Sequence, residues 1–151
     1  MLKSAGLTGR SDNKVDSKGR LAIPASMRKV LAPGELDEVV VLGVPSGHLL
    51  LFNREYWSAN IQQSMFDRKE EIGEENAWRA IHRLSENSHM STVDTQGRIT
   101  IPHRLLEKAG INGEAVVIGA FDRVTIWAPD RYESWINESE IDDAIKAFGI
   151  F

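Results

Sequence analysis

The sequence VDSKGRLAIP at residues 15–24 returns as VDTQGRITIP at residues 93–102, 78 positions later and without a gap. Six of the ten positions are identical. Further matches keep the same order in both halves of the chain: residues 39–43 parallel 115–119, and residues 49–52 parallel 124–127. Ordered matches of this kind indicate a duplicated unit, so we predict a chain built from two tandem repeats.

Each repeat is centred on Asp-x-x-Gly-Arg, which sets turn-forming residues between aliphatic runs and indicates a β-hairpin tip. Gly19 and Gly97 can adopt the positive φ angles that such turns often use. Asp16 and Asp94 carry carboxylates suited to an Asx-type bond with the turn backbone, or to orienting the neighbouring arginine. We therefore predict that these four residues shape two equivalent tips.

A proline follows each predicted strand, and proline is well tolerated at the beginning of a helix. This pattern predicts short helices over residues 25–31 and 103–109. The nearly continuous apolar runs at 39–44 and 115–120 predict buried strands. A final predicted strand at 124–127 completes the second repeat.

The segment between the repeats, residues 58–86, contains no proline and is rich in Glu, Arg, Gln and Ala. This composition favours helices, with a break near Gly73. The alternation of strands and helices predicts an α+β fold. The predicted organisation is a first repeat at residues 1–65, a helical connection at 66–86, a second repeat at 87–138 and a tail with a short helix at 139–151.

The composition excludes several classes of protein. The 151 residues are 42% hydrophobic and 26% charged, as in globular proteins, and the absence of cysteine excludes disulfides and cysteine-ligated metals. The four histidines lack zinc-site spacing, and neither a phosphate-binding loop nor a nucleophile elbow occurs. We therefore predict no enzyme activity, metal, cofactor or small-molecule ligand. No signal segment or bilayer-length apolar run is visible, so we expect a cytoplasmic protein without membrane contact.

Positive charge is concentrated near the N-terminus, although the net charge is −4. Residues 1–31 hold seven Lys and Arg against two Asp, whereas residues 32–92 hold five against ten acids and residues 93–151 hold six against ten. A basic segment on an acidic body is typical of a protein with one face that binds a polyanion. A chance cluster of surface cations is the alternative.

The arginines of the two tips are the main candidates for contact with DNA. Arg20 and Arg98 would expose guanidinium groups that can bind a phosphate or a guanine edge, and a two-stranded β-ribbon fits the major groove. Lys14, Lys18 and Arg10 would add phosphate contacts. Alternatively, each arginine pairs with the aspartate of its own turn and only fixes the hairpin.

The two tips differ in charge, because Gln96 stands in the second tip where the first has Lys18. The surroundings of the second tip are also less basic. We include Gln96 among the expected DNA-contacting residues, but we expect the two tips to contribute unequally.

The double Asp-x-x-Gly-Arg, with an aliphatic-x-Ile-Pro segment after each copy, resembles the MraZ family of bacterial regulators over roughly residues 13–138. More widely, it resembles the AbrB-type swapped-hairpin DNA-binding fold. The resemblance implies two tandem AbrB-like swapped-hairpin β units that form a small pseudo-dimeric barrel with flanking helices. It also implies a repressor of the cell-division and cell-wall gene cluster, which binds direct repeats upstream of its own operon.

The same resemblance implies double-stranded DNA as the partner, a ring-shaped homo-oligomer and a nucleoid-associated location. Phe66, Phe148 and Phe151 are candidates for subunit contacts, whereas Trp78 is expected in the core. The alternative function is an AbrB-like oligomeric interaction module, or an antitoxin-type protein, that acts mainly through a protein partner.

Overall fold

The computed structural model describes residues 6–34, 37–138 and 141–150. In this part of the chain the strands are β1 (Arg10–Lys14), β2 (Arg20–Ala22), β3 (Glu38–Gly43), β4 (Leu49–Asn53), β5 (Ser88–Thr92), β6 (Arg98–Thr100), β7 (Glu114–Gly119) and β8 (Val124–Trp127). The helices are α1 (Ala25–Leu31), α2 (Arg54–Tyr56), α3 (Gln63–Asp67), α4 (Lys69–Ile72), α5 (Glu74–Glu86), α6 (His103–Lys108), α7 (Pro129–Ile136) and α8 (Ile141–Ala147), with a π-helical segment at Trp57–Gln62.

The short helices and buried strands confirm the local predictions. Helix α1 covers the predicted residues, and α6 ends one residue earlier than predicted. Pro24 and Pro102 are the N-cap residues of these two helices, and because proline has no amide to donate to a strand ladder, each ends the preceding strand segment just before its helix begins. Strands β3 and β7 lie within one residue of their apolar runs, and β8 matches its run. Gly73 separates α4 from α5, as the predicted break requires.

Six strands form one antiparallel sheet in the order β1-β7-β8-β4-β3-β5, and β2 pairs with β6 in a separate two-stranded ribbon. The strands β1, β7 and β8 occupy the same places, counted from one edge, as the equivalent strands β5, β3 and β4 counted from the other edge. The sheet is therefore symmetric in the two repeats. Strand β1 pairs with β7 of the second repeat, and β5 pairs with β3 of the first. The two repeats therefore build a single sheet together.

The sheet is open, so the expectation of a small barrel is wrong. Within the described residues β1 and β5 are the edges of the sheet. Closure does not occur because the chain leaves the sheet after each turn, and the short strands β2 and β6 pair only with each other. The finer assignment to the swapped-hairpin fold stays a prediction, as do the domain boundaries.

The inner face of the β2–β6 ribbon is anchored in the main hydrophobic core. Leu21 and Ile99 face each other in the ribbon and are fully buried, and Ile23 and Ile101 continue the same apolar layer. Leu105 of α6 joins this core. Burial of apolar surface stabilises the fold by about 25 cal/mol per Å². One face of the ribbon therefore packs on the hydrophobic core, and its other face points to solvent.

The helical connection packs less tightly than predicted. Trp78 is 41% exposed, so its expected place in the core is wrong. Its ring meets Phe66 edge-on with the centroids 6.3 Å apart, and the Lys69 ammonium lies over both rings. The reason is that α5 buries little more than Ala77. Phe66 and Phe148 are exposed, and Phe151 lies outside the described residues.

Candidate nucleic-acid interface

The first Asp-x-x-Gly-Arg segment folds into a tight, internally bonded turn. The amide of Gly19 donates to the carbonyl of Asp16 over 2.9 Å, and the amide of Asp16 donates to the carbonyl of Arg20 over 3.1 Å. Val15 and Leu21 form a β-bridge on either side. Gly19 has a φ of +79°, a conformation that glycine adopts without strain. This turn, residues 16–20, is called the first turn below.

The carboxylate of Asp16 binds both the backbone and the arginine of the first turn. Its Oδ1 accepts from the amides of Lys18 and Arg20 at 3.0 and 2.8 Å, and its Oδ2 accepts from Nε of Arg20 at 2.7 Å. The amide of Arg20, followed by its guanidinium group, holds the pKa of Asp16 below its ordinary value. Both contacts that the sequence suggested for this aspartate are therefore made at once.

The second turn, residues 94–98, has the same bonding pattern. Asp94 Oδ1 accepts from the amides of Gln96 and Arg98, both at 2.9 Å, and Oδ2 accepts from Nε of Arg98 at 2.9 Å. The amide of Arg98 is the main cause that lowers the pKa of Asp94. Gly97 has a φ of +77°. The repeated motif thus encodes a repeated geometry.

Both arginines are held by their aspartates and are less exposed than the sequence suggested. The side chains of Arg20 and Arg98 are 35% and 28% exposed. Their hydrogen bonds to aspartate use Nε, and no hydrogen bond from a terminal guanidinium nitrogen of either is found among the described residues. The ion pair therefore orients each guanidinium group while its outer nitrogens stay available for an anion.

The ribbon brings the two arginines onto one surface. Arg20 pairs with Thr100 and Arg98 pairs with Ala22, so the arginines are diagonal neighbours, with Cα atoms roughly 7–8 Å apart. Leu21 lies between Arg20 and Ala22 and points into the core, so the arginines share the outward face. The ribbon therefore presents two cations on one face.

Backbone hydrogen bonds between the repeats fix the position of each turn. The amide of Ile23 donates to the carbonyl of Gly97 over 3.0 Å, and the amide of Ile101 donates to the carbonyl of Gly19 over 2.8 Å. Each turn is therefore held by the strand end of the other repeat. The two turns lie at opposite ends of the ribbon, because β2 and β6 run antiparallel.

The other predicted cations differ in their surroundings. Lys18, inside the first turn, is exposed beside this surface, whereas Lys14 is exposed at the end of β1, opposite Glu114 of β7. Arg10 lies at the other end of β1, about 13 Å from Lys14 along the strand. Its Nε contacts Asp12 at 3.0 Å, and its guanidinium group lies over the Tyr132 ring. Asp12 raises the pKa of Arg10.

Gln96 is exposed in the second turn, at the position equivalent to Lys18. The strand before the second turn has Thr92 where the first has Lys14. The two turns are therefore alike in backbone geometry and unlike in charge.

A helix from the opposite repeat borders each turn. Helix α6 lines a cleft of about 640 Å³ together with Asp16 and Ser17 of the first turn. Helix α1 lines a cleft of about 480 Å³ beside the second turn, where Arg28 lies next to Gly97. Sequence reasoning missed Arg28 as a site residue. The offset of 78 aligns Arg28 with an apolar residue, Leu106, but this difference does not by itself indicate a site.

The family model described as "MraZ protein, putative antitoxin-like" matches residues 7–80 and again residues 84–147. The chain belongs to the MraZ family. The two matches correspond to the two copies of the turn motif, and they confirm the family to which those copies pointed.

Several members of the MraZ family carry the name "Transcriptional regulator MraZ". The protein of Christiangramia forsetii is 34% identical over 143 residues, which cover 91% of this chain and 88% of that protein. The protein of Bacteroides fragilis is 32% identical over 147 residues, which cover 93% and 85%. That of Chlorobium phaeobacteroides is 29% identical over 138 residues, which cover 89% and 91%.

Among solved structures, the chain matches the solution structure of PHS018 from Pyrococcus horikoshii with 15% identity. The match covers 80% of this chain and 87% of that one, with a TM-score of 0.35, at which the likeness carries no argument.

In the part of the MraZ chain that the structure describes, no group of three His, Cys, Asp or Glu side chains is placed to hold a metal ion. No described helix is long and apolar enough to cross a membrane.

Proposed function

We propose that this protein is a transcriptional regulator that binds double-stranded DNA with the outward face of the β2–β6 ribbon. One observation carries the proposal: Arg20 and Arg98 are diagonal neighbours on that face, each oriented by an aspartate of its own turn. Oriented guanidinium groups bind phosphates and guanine edges in a bidentate manner. The relatives named transcriptional regulators support the same function.

In this proposal the arginines and aspartates of the turns have different roles. Arg20 and Arg98 contact DNA with their outer nitrogens, while Asp16 and Asp94 hold Nε and so fix the angle of each guanidinium group. Lys18 and Lys14 add phosphate contacts, which raise affinity without reading sequence. Arg10 contributes less, because Asp12 already neutralises it.

The wider setting is also part of the proposal. The protein represses the cell-division and cell-wall gene cluster, binds direct repeats upstream of its own operon and acts as a ring-shaped homo-oligomer at the nucleoid in the cytoplasm. A single ribbon carries few cations and binds weakly. Several ribbons in one assembly on repeated DNA sites raise the apparent affinity by roughly two to four orders of magnitude.

The experiment is a DNA-binding titration at several salt concentrations. The purified protein is titrated into labelled DNA from upstream of its own gene and into a shuffled fragment of the same length. The proposal predicts tighter binding to the upstream fragment, with log Kd depending on log salt with a slope of about 0.9 per phosphate contacted. Equal binding to both fragments contradicts specific regulation, and no binding at low salt contradicts DNA binding altogether.

A second candidate function is an interaction module that acts through a protein partner. The family model carries the description "putative antitoxin-like", and Phe66, Trp78 and Phe148 are exposed apolar side chains. A flat salt response in the titration above favours this alternative. DNA binding with a steep salt dependence favours the regulator.

A further inference from the structure

The second turn is short of cations when only its own repeat is considered. The first turn and the end of β1 supply Lys14, Lys18 and Arg20, whereas the equivalent positions in the second repeat hold Thr92, Gln96 and Arg98. The first repeat thus has three cations at these positions, and the second repeat has one. A DNA-binding ribbon with such different ends would bind mainly at the first turn.

Arg28 of α1 brings a further cation to the second turn. A Cβ atom placed on Gly97 would lie 1.8 Å from Nη1 of Arg28, so the guanidinium group directly covers this glycine. In the other repeat the equivalent residue is Leu106, whose Cδ1 lies 3.5 Å from the equivalent point on Gly19. An apolar residue thus covers the cation-rich turn, and an arginine covers the cation-poor one.

The neighbouring helix position shows the same exchange of charge. Glu107 of α6 lines the cleft beside Asp16 and Ser17 of the first turn. The equivalent residue in α1 is the exposed Lys29. This position beside the first turn therefore holds an acid, and the equivalent position beside the second turn holds a base. The two bases of α6, Arg104 and Lys108, bond elsewhere, to the carbonyl of Glu86 and to Asn87. These exchanges make the two ends of the ribbon more alike in charge than the turns alone.

Arg28 retains donors for a ligand. Its Nη1 donates to the carbonyl of Ile23 over 3.0 Å, and this is its single side-chain hydrogen bond among the described residues. No ion pair of Arg28 occurs within the described ranges, although Asp94 lines the same cleft. Asp94 instead binds the amides of Gln96 and Arg98 and the Arg98 side chain. The cleft is open and also lined by Thr95 and Gln96.

We propose that Arg28 binds a DNA phosphate beside the second turn, so that this end of the DNA-binding surface is built from both repeats. The inference rests on the proposed function and names one more contact of the same site. It also revises the expectation that the two turns contribute unequally. The second turn reads DNA with Arg98 and takes its phosphate contact from α1 of the opposite repeat.

The test compares Arg28→Leu and Arg28→Lys with the wild-type protein in the salt titration. Leucine fits this environment, because Leu106 occupies the equivalent place, so Arg28→Leu is expected to fold with an unchanged Tm. Arg28→Leu should weaken binding to upstream and shuffled DNA alike and reduce the salt slope by about 0.9, whereas Arg28→Lys should keep the slope. Arg79→Leu, on α5 outside both clefts, is the matched control and should leave the slope unchanged.

Three results overturn the inference, and they are distinguishable. A wild-type protein without salt-sensitive binding overturns the proposed function and this inference together. Salt-sensitive wild-type binding with an unchanged slope in Arg28→Leu overturns the inference alone. Equal losses in Arg28→Leu and Arg28→Lys, together with a lower Tm, would mean that Arg28 only supports the turn.

Discussion

The amide of Ile23 donates a hydrogen bond to the carbonyl of Gly97 over 3.0 Å, and this bond ties a strand of the first repeat to the turn of the second. The reciprocal bond from Ile101 to Gly19 ties the second repeat to the first turn. The positions of the two turns are therefore set by contacts between the repeats. A substitution of either glycine should therefore lower the free energy of unfolding of the whole protein.

Gly19→Ala should destabilise the protein more than Gly97→Ala. Both glycines have positive φ, which costs an L-residue roughly 1–2 kcal/mol. A Cβ on Gly19 would also lie 2.3 Å from the carbonyl oxygen of Ile101, which belongs to the backbone and cannot move aside. At Gly97 the obstacle is the flexible end of Arg28. Chemical denaturation measures both losses, and equal or reversed losses would contradict this reading of the two turns.

The aspartates of the turns should make stability depend on acidic pH. The pKa values of Asp16 and Asp94 are lowered in the folded protein, chiefly by the amides of Arg20 and Arg98. Their stabilising effect is therefore present above the unfolded pKa of about 3.9 and is lost as the pH falls through the lower folded values.

The double variant Asp16→Asn/Asp94→Asn tests this origin. It should show a flatter loss of the free energy of unfolding below about pH 4 than the wild-type protein, because the group that titrates in each turn is gone. Asp67→Asn on α3, away from the turns, is the control. Identical pH profiles of the double variant and the wild-type protein would show that the turn carboxylates do not contribute.

The charge of each turn can be changed to that of the other by exchanging the residues at one equivalent position, Lys18 and Gln96. Lys18→Gln gives the first turn the residue of the second and should reduce the salt slope of DNA binding by about 0.9. Gln96→Lys should increase the slope by a similar amount, because the added ammonium group lies on the same exposed surface. Slopes that do not respond to either change would place the turns outside the DNA contact.

Tyr56, Asp122 and Arg123 form a polar cluster that joins the two repeats. The Tyr56 hydroxyl donates to Asp122 Oδ2 over 3.0 Å, and Arg123 donates to both carboxylate oxygens. Asp122→Ala should cost about 1–3 kcal/mol, because it leaves the half-buried polar groups without their acceptor. Addition of Tyr56→Phe to this variant should recover part of the loss. Denaturation of the two single variants and the double variant measures the coupling, and strict additivity would contradict it.

Much of the local structure could be predicted from the sequence. The turn residues, the prolines before α1 and α6 and the apolar runs of β3 and β7 act locally, and the helices and strands lie within one residue of the prediction. The hydrogen bonds of Asp16 and Asp94 are also local, because they join residues four positions apart or less.

The remaining features depend on contacts between distant residues. The open sheet follows from the pairing of β1 with β7 and of β2 with β6, which no local pattern encodes. Trp78 is exposed because α5 packs mainly through Ala77, and its periodicity alone did not show which face is covered. Arg28 escaped notice as a site residue because its position over Gly97, in the opposite repeat, is visible only in the folded chain.

The central claim is that the paired arginines of the ribbon bind DNA, and its most direct measurement compares Arg20→Ala, Arg98→Ala and the double variant with the wild-type protein. Each single variant should weaken binding to the upstream fragment by about 1–3 kcal/mol, or roughly 5- to 150-fold, and the double variant should abolish preference over shuffled DNA. The Tm should change little, because both ion pairs remain accessible to solvent, where such pairs contribute about 1 kcal/mol or less. A large fall in Tm with unchanged DNA affinity would contradict the claim and leave the arginines as internal partners of Asp16 and Asp94.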